Sequence, residues 1–242
     1  MLEVIAFNIA SVLVAQQSGA HRIELCDNAA EGGTTASYGM IKTAREKTSL
    51  LLFPIIRPRG GDFLYTEEEF EVMKRDVQLC KELQCDGVVI GLLQADGSVD
   101  KKRTAQLVDL AFPLGVTFHR AFDRAANPFE ALEDIISIGC ERILTSGLKP
   151  TAMEGIDTLE ALVRQADDRI IIMPGSGVRA DTIQTIAQRT QATEFHSSAR
   201  KDQPSAMSYI NADMKESLDA TLLDSDEVKK MVDILQNLKA DS

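Results

Sequence analysis

The chain has 242 residues, 44% hydrophobic and 26% charged, which is enough apolar side chain for a sizeable core and excludes a mainly disordered chain. Its 26 basic and 37 acidic residues give a net charge of −11, and such a surface repels nucleic-acid phosphates and anionic membranes. The sequence contains no apolar run near the roughly 20 residues that cross a bilayer, and its first residues lack the positive segment of a signal peptide. We therefore expect no nucleic-acid partner and no membrane contact.

Short apolar runs rich in β-branched residues recur along the chain, and each is followed by a stretch long enough for an amphipathic helix. Consecutive runs begin 20 to 35 residues apart, which is the length of one βα unit. The predicted strands are residues 2–7, 22–26, 51–56, 86–91, 115–119, 142–145, 169–173 and 193–196.

Helix-start signals fall between these runs. Ser37 precedes YGMIKTAREK, and Asn127 with Pro128 precedes FEALEDIISIG. Thr66 precedes a long amphipathic run and is followed three residues later by Glu69, which is a capping-box pattern. The signals therefore support helices in the intervals where a βα repeat requires them.

Eight units of similar length favour a closed (β/α)8 TIM barrel over a doubly wound open sheet, which the same alternation also permits. We predict one domain over residues 1–242. Its βα units occupy residues 2–200, and residues 201–242 contain a polar, irregular segment followed by a C-terminal helix over 226–238.

Polar residues cluster where the predicted strands end, which is where barrels of this class carry their active sites. Two arginines and two glycines in RPRGGD make a stiff cationic turn suited to a carboxylate or phosphate, although a solvated basic loop is the alternative. The Gly-Ser-Gly of PGSG offers backbone N–H groups to an anion, although glycines also serve any tight βα turn. The anion-binding candidates are Arg57, Arg59, Asp62, Arg120, Asp123, Ser146, Gly175, Gly177, Ser198 and Arg200.

The alternation of side chains across a strand assigns several polar residues to the barrel interior. If the apolar members of each run face the helices, the inward residues include Glu3, Arg22, Glu24, Cys26, Thr117, His119, Glu194 and His196. Buried carboxylates require partners, so a structural ion-pair network is one interpretation of this set. The other is catalysis, with Glu24, His119 and His196 as candidate acid–base groups.

Spacing gives little support for a metal site. The chain has three histidines and four cysteines without a CxxC pair, a usage typical of a reducing cytoplasm. Cys80, Cys85 and Cys140 lie where buried thiols are ordinary, which leaves Cys26 as the cysteine at a functional strand end. The segment DGSVD lacks the remaining EF-hand positions and predicts a turn in which Asp100 caps the next helix.

Seven segments, taken in their order along residues 2–200, closely resemble the CutC family of copper homeostasis proteins. They are RIELC, EGGTTAS, IIRPRGGDF, TFHRAFD, RILTSG, PGSGVR and EFHSSAR. The resemblance implies a cytoplasmic TIM barrel, often a homo-oligomer, with a proposed role in copper handling through thiolate coordination of Cu(I). Members often carry cysteine in the first strand, where this chain has Ile5 and Ala6, so we predict weak copper binding by Cys26 alone.

Three classes of function therefore remain open. In the first, the protein binds copper as a carrier, buffer or regulator. In the second, it is an enzyme for a small anionic metabolite that is held by arginines at the barrel mouth and exchanges protons with the candidate acid–base groups. A barrel that serves only as a scaffold is the third. For the enzyme we predict that Glu24, Arg59 and His119 share one cluster, and that an anion binds between the residue 175–177 turn, Arg200 and the RPRGG loop.

Overall fold

Eight short parallel strands form the wall of a barrel in a computed structural model that describes residues 1–211 and 213–240. Two four-stranded ladders, β3-β2-β1-β8 and β4-β5-β6-β7, make its two halves. The Ile55–Val89 bridge joins them between β3 and β4, and β7 lies against β8 at the other junction. The closed barrel confirms the predicted fold class. The strands are β1 Leu2–Ala6, β2 Arg22–Leu25, β3 Leu51–Pro54, β4 Gly87–Ile90, β5 Gly115–Phe118, β6 Arg142–Thr145, β7 Ile171–Pro174 and β8 Phe195–Ser197.

Helices surround the strands and lie in the predicted intervals. The N-cap side chains of Ser37, Asn127 and Asp100 accept backbone N–H bonds as expected, and Thr66 and Glu69 form both halves of a capping box. The helices are α1 Ile9–Gln17, α2 Tyr38–Lys47, α3 Glu67–Glu82, α4 Lys101–Ala111, α5 Pro128–Ile138, α6 Ile156–Ala166, α7 Ile183–Thr190 and α8 Ser225–Ala240. In the part of the chain that the structure describes, no helix combines the length and apolarity needed to cross a membrane.

The apolar core has two parts that follow the alternation of side chains along the strands. Leu2, Val4 and Ala6 of β1 belong to the larger cluster, which lies between strands and helices. The smaller cluster contains Cys26, Phe53, Ile55 and Val89, with Ile5 and Phe7 packed against it. Glu3, Ile5 and Phe7 alternate with the first set, so the barrel interior mixes charged and apolar residues.

The segment after β8 is more ordered than the sequence predicted. Residues Arg200–Gln203 form β9 and pair antiparallel with β10, Ala220–Leu223, so a two-stranded ribbon replaces the expected irregular chain at both ends. Asn8 Nδ2 donates to the Thr221 carbonyl oxygen at 2.8 Å, which fixes the ribbon to the start of α1. This places Arg200 at the carboxyl end of the barrel.

Candidate functional site

An ion-pair layer crosses the barrel interior near the start of the strands. Arg22 Nε lies 2.5 Å from Glu3 Oε2, and Arg22 Nη2 lies 2.5 Å from Glu194 Oε2. Arg142 Nε lies 3.2 Å from the same Glu194 oxygen, and both guanidinium groups lie about 5 Å from the Phe53 ring centroid. Each buried charge in this layer has a partner. The layer is therefore a structural ion-pair network, the first of the two interpretations of the inward residues.

His196 connects that layer to the carboxyl end of the barrel. Its Nδ1 lies 2.7 Å from Glu3 Oε1, and its Nε2 lies 3.7 Å from Glu24 Oε2. Burial opposes the charge on His196, but the hydrogen bond to Glu3 and the charges of Glu24 and Glu3 raise the pKa of His196 above its usual value. The imidazole is therefore held towards its protonated form.

The two carboxylates beside His196 differ in their proton affinity. Burial raises the pKa of Glu3, but the charge of Arg22 and the contacts with His196 outweigh it and lower that pKa to about 2. Burial also raises the pKa of Glu24, and here it prevails with help from the charge of Glu3, so the pKa reaches about 7 despite the opposing charges of His196 and Arg22. Within the described residues, the Glu24 carboxylate accepts no hydrogen bond. Glu24 is thus the member of the group that is able to gain and lose a proton near neutral pH.

Arg57 places a buried positive charge at the end of β3. Its Nη1 donates to the carbonyl oxygens of Glu31 and Gly33 at 2.7 and 2.8 Å, and its Nη2 donates to that of Gly61 at 2.8 Å. Among the ion pairs of the described chain, none contains Arg57, and its buried Nε has no hydrogen-bond partner there. The guanidinium lies 5.1 Å from the Phe63 ring centroid. Backbone oxygens therefore hold this cation without neutralising it.

His119 follows β5 and presents a neutral imidazole. Its Nδ1 accepts the Ala121 N–H at 3.1 Å, which assigns the ring proton to Nε2. Burial and the charge of Arg57 lower the pKa of His119 to about 3. Over the described part of the chain, Nε2 is buried without a hydrogen-bond partner. The carboxylates of Glu3 and Glu24 contact His196 and not His119.

A cavity of about 260 Å³ at the carboxyl ends of the strands contains these groups. Glu24 and His196 line it beside the apolar Ile5, Ile55 and Leu144. Its other lining residues are Phe7, Ala29, Gly32, Arg57, Phe63, His119, Arg120, Ser176, Gly177, Ser198 and Arg200. All three catalytic candidates and five of the ten anion-binding candidates therefore meet in one space: Arg57, Arg120, Gly177, Ser198 and Arg200.

Arg59 and Asp62 lie outside this lining, which corrects the predicted cluster of Arg59 with Glu24 and His119. Arg59 Nε lies 2.5 Å from Glu69 Oε1 at the start of α3, and Arg59 Nη2 lies 3.0 Å from Asp62 Oδ1. Two carboxylates thus turn Arg59 away from the barrel mouth. The RPRGG loop contributes one of its two arginines to the cavity.

Asp123, Ser146 and Gly175 also lie outside the lining and support its rim. The Asp123 carboxylate accepts from Thr145 Oγ1 at 2.5 Å and from the Ser146 N–H at 3.0 Å, and Arg120 Nε donates to it at 2.7 Å. Ser146 Oγ accepts a second bond from Arg120, at 3.0 Å. A Cβ at Gly175 would lie 2.4 Å from Leu144 Cδ1, so this glycine allows the backbone after β7 to pack closely against β6. These groups orient the residue 146–148 turn and Arg120.

Cys26 does not fit a thiolate copper site. Its side chain is fully buried in the smaller apolar cluster, and burial with the charges of Glu24 and Glu3 raises the pKa of the Cys26 thiol well above its usual value. Glu3, Glu24 and His196 form the one group of three potential metal ligands found within 4.8 Å of one another in the described residues, and it contains no sulfur. Cu(I) prefers soft sulfur donors, whereas this group offers carboxylate oxygens and an imidazole nitrogen. It therefore does not match the thiolate coordination that the family resemblance implies.

The sequence prediction missed the aromatic and glycine parts of the lining. Phe63 packs against both Arg57 and His119, and it directly follows RPRGGD. Gly32 belongs to EGGTTAS, whose backbone carbonyls hold Arg57. The sequence did contain a signal for this part of the lining, the glycine pair that follows the second strand. Paired glycines after a barrel strand allow the backbone to approach another group closely.

The closed eight-stranded barrel and the ionisable cavity at its carboxyl end define a TIM-barrel protein with a cavity in the position that barrel enzymes use for their active sites. The chain belongs to the CutC family, whose family model matches residues 1–201.

Individual relatives agree with this membership. A CutC family protein of Chromobacterium violaceum is 53% identical over 86% of this chain and 85% of its own. Another, of Xylella fastidiosa strain Temecula1, is 48% identical over 97% of this chain and 88% of its own. The solved structure of the putative copper homeostasis protein CutC from Streptococcus agalactiae is similar at a TM-score of 0.78 and 35% identity, covering 82% of this chain and 98% of that one. Thiamine phosphate pyrophosphorylase of Pyrococcus furiosus is similar in fold alone, at a TM-score of 0.62 and 16% identity over 98% of this chain and 96% of that one.

Proposed function

We propose that this CutC family member is an enzyme that binds a small anionic molecule at the barrel mouth and transfers a proton on it. The observation that carries the proposal is the Glu24 carboxylate, which lines the cavity while almost fully buried, at 3.7 Å from His196 Nε2. No hydrogen bond to it occurs in residues 1–211 and 213–240. A buried carboxylate without hydrogen bonds is costly, so a ligand that supplies one gains binding free energy.

The charges around the cavity favour an anionic ligand. Arg57, Arg120 and Arg200 all line it, in a chain whose net charge is −11. Concentrating cations at one concave surface attracts anions from solution and raises their local concentration. Guanidinium groups and the backbone N–H groups of the Ser176–Gly177 turn are suited to a phosphate or carboxylate.

The acid–base chemistry comes from Glu24 and His196 together. With a pKa of about 7, Glu24 exists in both protonation states near neutral pH, which suits a general acid or base. His196 is held by Glu3 through Nδ1, so its ring orientation is fixed. We assign proton transfer to Glu24. We assign to His196 the role of positioning the Glu24 carboxylate.

Copper handling in the cytoplasm, by a homo-oligomer, is the second candidate. It is favoured by the 35% identity to a protein titled a putative copper homeostasis protein. The buried Cys26 thiol, with its raised pKa, does not fit Cu(I), so this candidate involves no bond between Cys26 and copper. In this candidate the protein serves as a carrier, buffer or regulator whose copper affinity is weak.

A phosphate titration tests the anion site. We expect phosphate to bind competitively with other small anions, and Arg200→Ala to weaken it about fivefold, the loss typical of one exposed charged contact. Arg59→Ala is the matched control, because Arg59 pairs with Glu69 outside the cavity. The proposal would be contradicted if both variants lost the same amount of phosphate affinity, or if the wild-type protein bound no phosphate.

A metabolite screen by thermal shift, followed by turnover assays on the molecules that bind, tests the enzyme assignment. Glu24→Gln is expected to retain binding and lose turnover at least a hundredfold, as for a general acid or base. Glu130→Gln on α5 is the matched control and should retain turnover, since Glu130 is exposed and does not line the cavity. Full turnover in Glu24→Gln would refute the assignment.

A further inference from the structure

We infer that His119 and Arg57 form a subsite for the carbonyl oxygen of the ligand, and that the reaction is proton abstraction from the carbon next to that carbonyl. The inference rests on the proposed function and deepens it. It assigns the substrate to phosphorylated carbonyl compounds and divides the cavity into an oxygen-binding side and a proton-transferring side.

His119 supplies the first donor. Its Nδ1 is already occupied by the Ala121 N–H, so Nε2–H is the free donor of a ring that lines the cavity. In the described structure this buried N–H has no acceptor. Buried donors are ordinarily satisfied, so an unsatisfied one at a cavity wall points to an oxygen supplied by a ligand.

The ring is also held rigidly in place. A Cβ at Gly91 would lie 2.3 Å from the imidazole. Because glycine has no side chain, the ring packs directly against the backbone that follows β4. The Phe63 ring centroid lies 5.1 Å from that of His119 on another side. A donor fixed by packing loses little conformational freedom when it binds an oxygen.

Arg57 supplies the second donor and a charge. Three backbone carbonyls fix its Nη atoms, while its buried Nε–H lacks an acceptor among the residues described. The same charge keeps His119 neutral, because it lowers the pKa of that imidazole together with burial. The two residues that carry these donors, one uncharged and one charged, thus line the same cavity as Glu24.

The step balances without a co-reactant. The Glu24 carboxylate takes a proton from the carbon beside the carbonyl, and the electrons of the broken C–H bond form a C=C bond. The π pair of the carbonyl moves onto its oxygen, which accepts hydrogen bonds from His119 Nε2–H and Arg57 Nε–H. Glu24 then returns the proton to the same carbon, which re-forms the carbonyl and gives exchange. Where that carbon bears a hydroxyl, the intermediate is an enediolate: the hydroxyl proton passes to the former carbonyl oxygen, Glu24 protonates the former carbonyl carbon, and the new carbonyl forms at the hydroxyl-bearing carbon, which gives isomerisation.

The rim accounts for the phosphate of such a ligand. Arg120, Arg200 and the backbone of Gly177 lie around the same cavity. Gly177 has a φ of 70°, a left-handed conformation that allows a turn to direct N–H groups at an anion.

Phosphoglycolohydroxamate, a planar mimic of the enediolate formed by this step, is the probe. We expect calorimetry to show that it binds the full-length protein at least tenfold more tightly than inorganic phosphate and in competition with it. His119→Phe, which keeps a ring but removes the donor, should abolish the tenfold advantage and leave phosphate affinity unchanged. His119→Gln, which restores an N–H donor, should recover part of the advantage.

Nitrogen-15 NMR of the histidines provides a measurement without substitution. We expect His119 to be neutral with its proton on Nε2 at pH 7, and its Nε2 resonance to shift when the mimic binds but not when phosphate binds. If phosphate and the mimic bind equally, or if His119→Phe keeps the tenfold advantage, the oxygen subsite is wrong and the anion site stands. If neither molecule binds, the proposed function fails and this inference fails with it.

Discussion

The His196 imidazole lies 1.0 Å closer to one carboxylate than to the other: its Nδ1 is 2.7 Å from Glu3, whereas its Nε2 is 3.7 Å from Glu24. Glu3 is further neutralised by Arg22, 2.5 Å away. Glu24 receives only the longer contact and therefore keeps a raised proton affinity. This asymmetry separates a carboxylate that belongs to the ion-pair layer, Glu3, from one that lines the cavity, Glu24.

The raised pKa of Glu24 predicts a pH-dependent gain in stability for Glu24→Gln. The folded-state pKa is about 7 against a usual value of 4.5, so the folded protein binds more protons than the unfolded chain between these values. The wild-type protein therefore loses stability from this group as pH rises through that window. We expect Glu24→Gln to be more stable than wild type by about 1 to 3 kcal/mol at pH 8 and nearly equal at pH 4.5.

Urea denaturation at several pH values measures this difference. Glu130→Gln, on an exposed helix face, should show no such pH-dependent gain. A Glu24→Gln protein that is less stable than wild type at pH 8 would mean that the native state needs the Glu24 charge.

Arg22→Met should be strongly destabilising. It leaves Glu3 and Glu194 as buried carboxylates without their shared partner, and breaking a buried pair from one side costs about 3 to 5 kcal/mol. Arg164→Met is the control, because the Arg164–Glu160 pair is exposed and surface pairs contribute at most about 1 kcal/mol. Chemical denaturation of both variants gives the comparison, and similar losses would contradict the structural assignment of the Arg22 layer.

Cys26→Ala should leave Cu(I) affinity nearly unchanged. The thiol is fully buried, and its raised pKa disfavours the thiolate that Cu(I) binds. Titration of the reduced protein against a competing chelator measures the affinity. A tight, stoichiometric site in wild type that disappears in Cys26→Ala would restore the thiolate interpretation.

Gly91→Ala should displace His119. The new methyl group would lie 2.3 Å from the imidazole, and overpacking of this kind costs about 1 to 3 kcal/mol. Gly39→Ala on α2 is the control; no contact below 4.0 Å awaits its methyl group, and we expect a gain of about 0.5 to 1 kcal/mol. Thermal denaturation distinguishes the two, and crystallography of Gly91→Ala would show whether the ring moves.

Much of the barrel was predictable because its signals are local. Thr66 and Glu69 form their capping box across three residues, and the alternation of Glu3 with Val4 follows from the pleat of one strand. Strand bounds differ from the prediction by at most two residues at either end; the eighth strand, for example, runs over Phe195–Ser197 instead of 193–196. The ribbon of β9 and β10 was missed because its pairing joins segments separated by a long loop.

Sequence alone determined the fold class and which end of the barrel carries polar chemistry, since side-chain periodicity and capping act over a few residues. Only the tertiary structure decided which charges meet. Glu3 and His196 contact each other across 193 positions of sequence, and Arg59 is diverted to Glu69 although it shares a loop with Arg57. Charge pairing and pKa depend on distance and burial in space, so the surroundings that set the proton affinities of Glu24 and His119 arise only when the barrel closes.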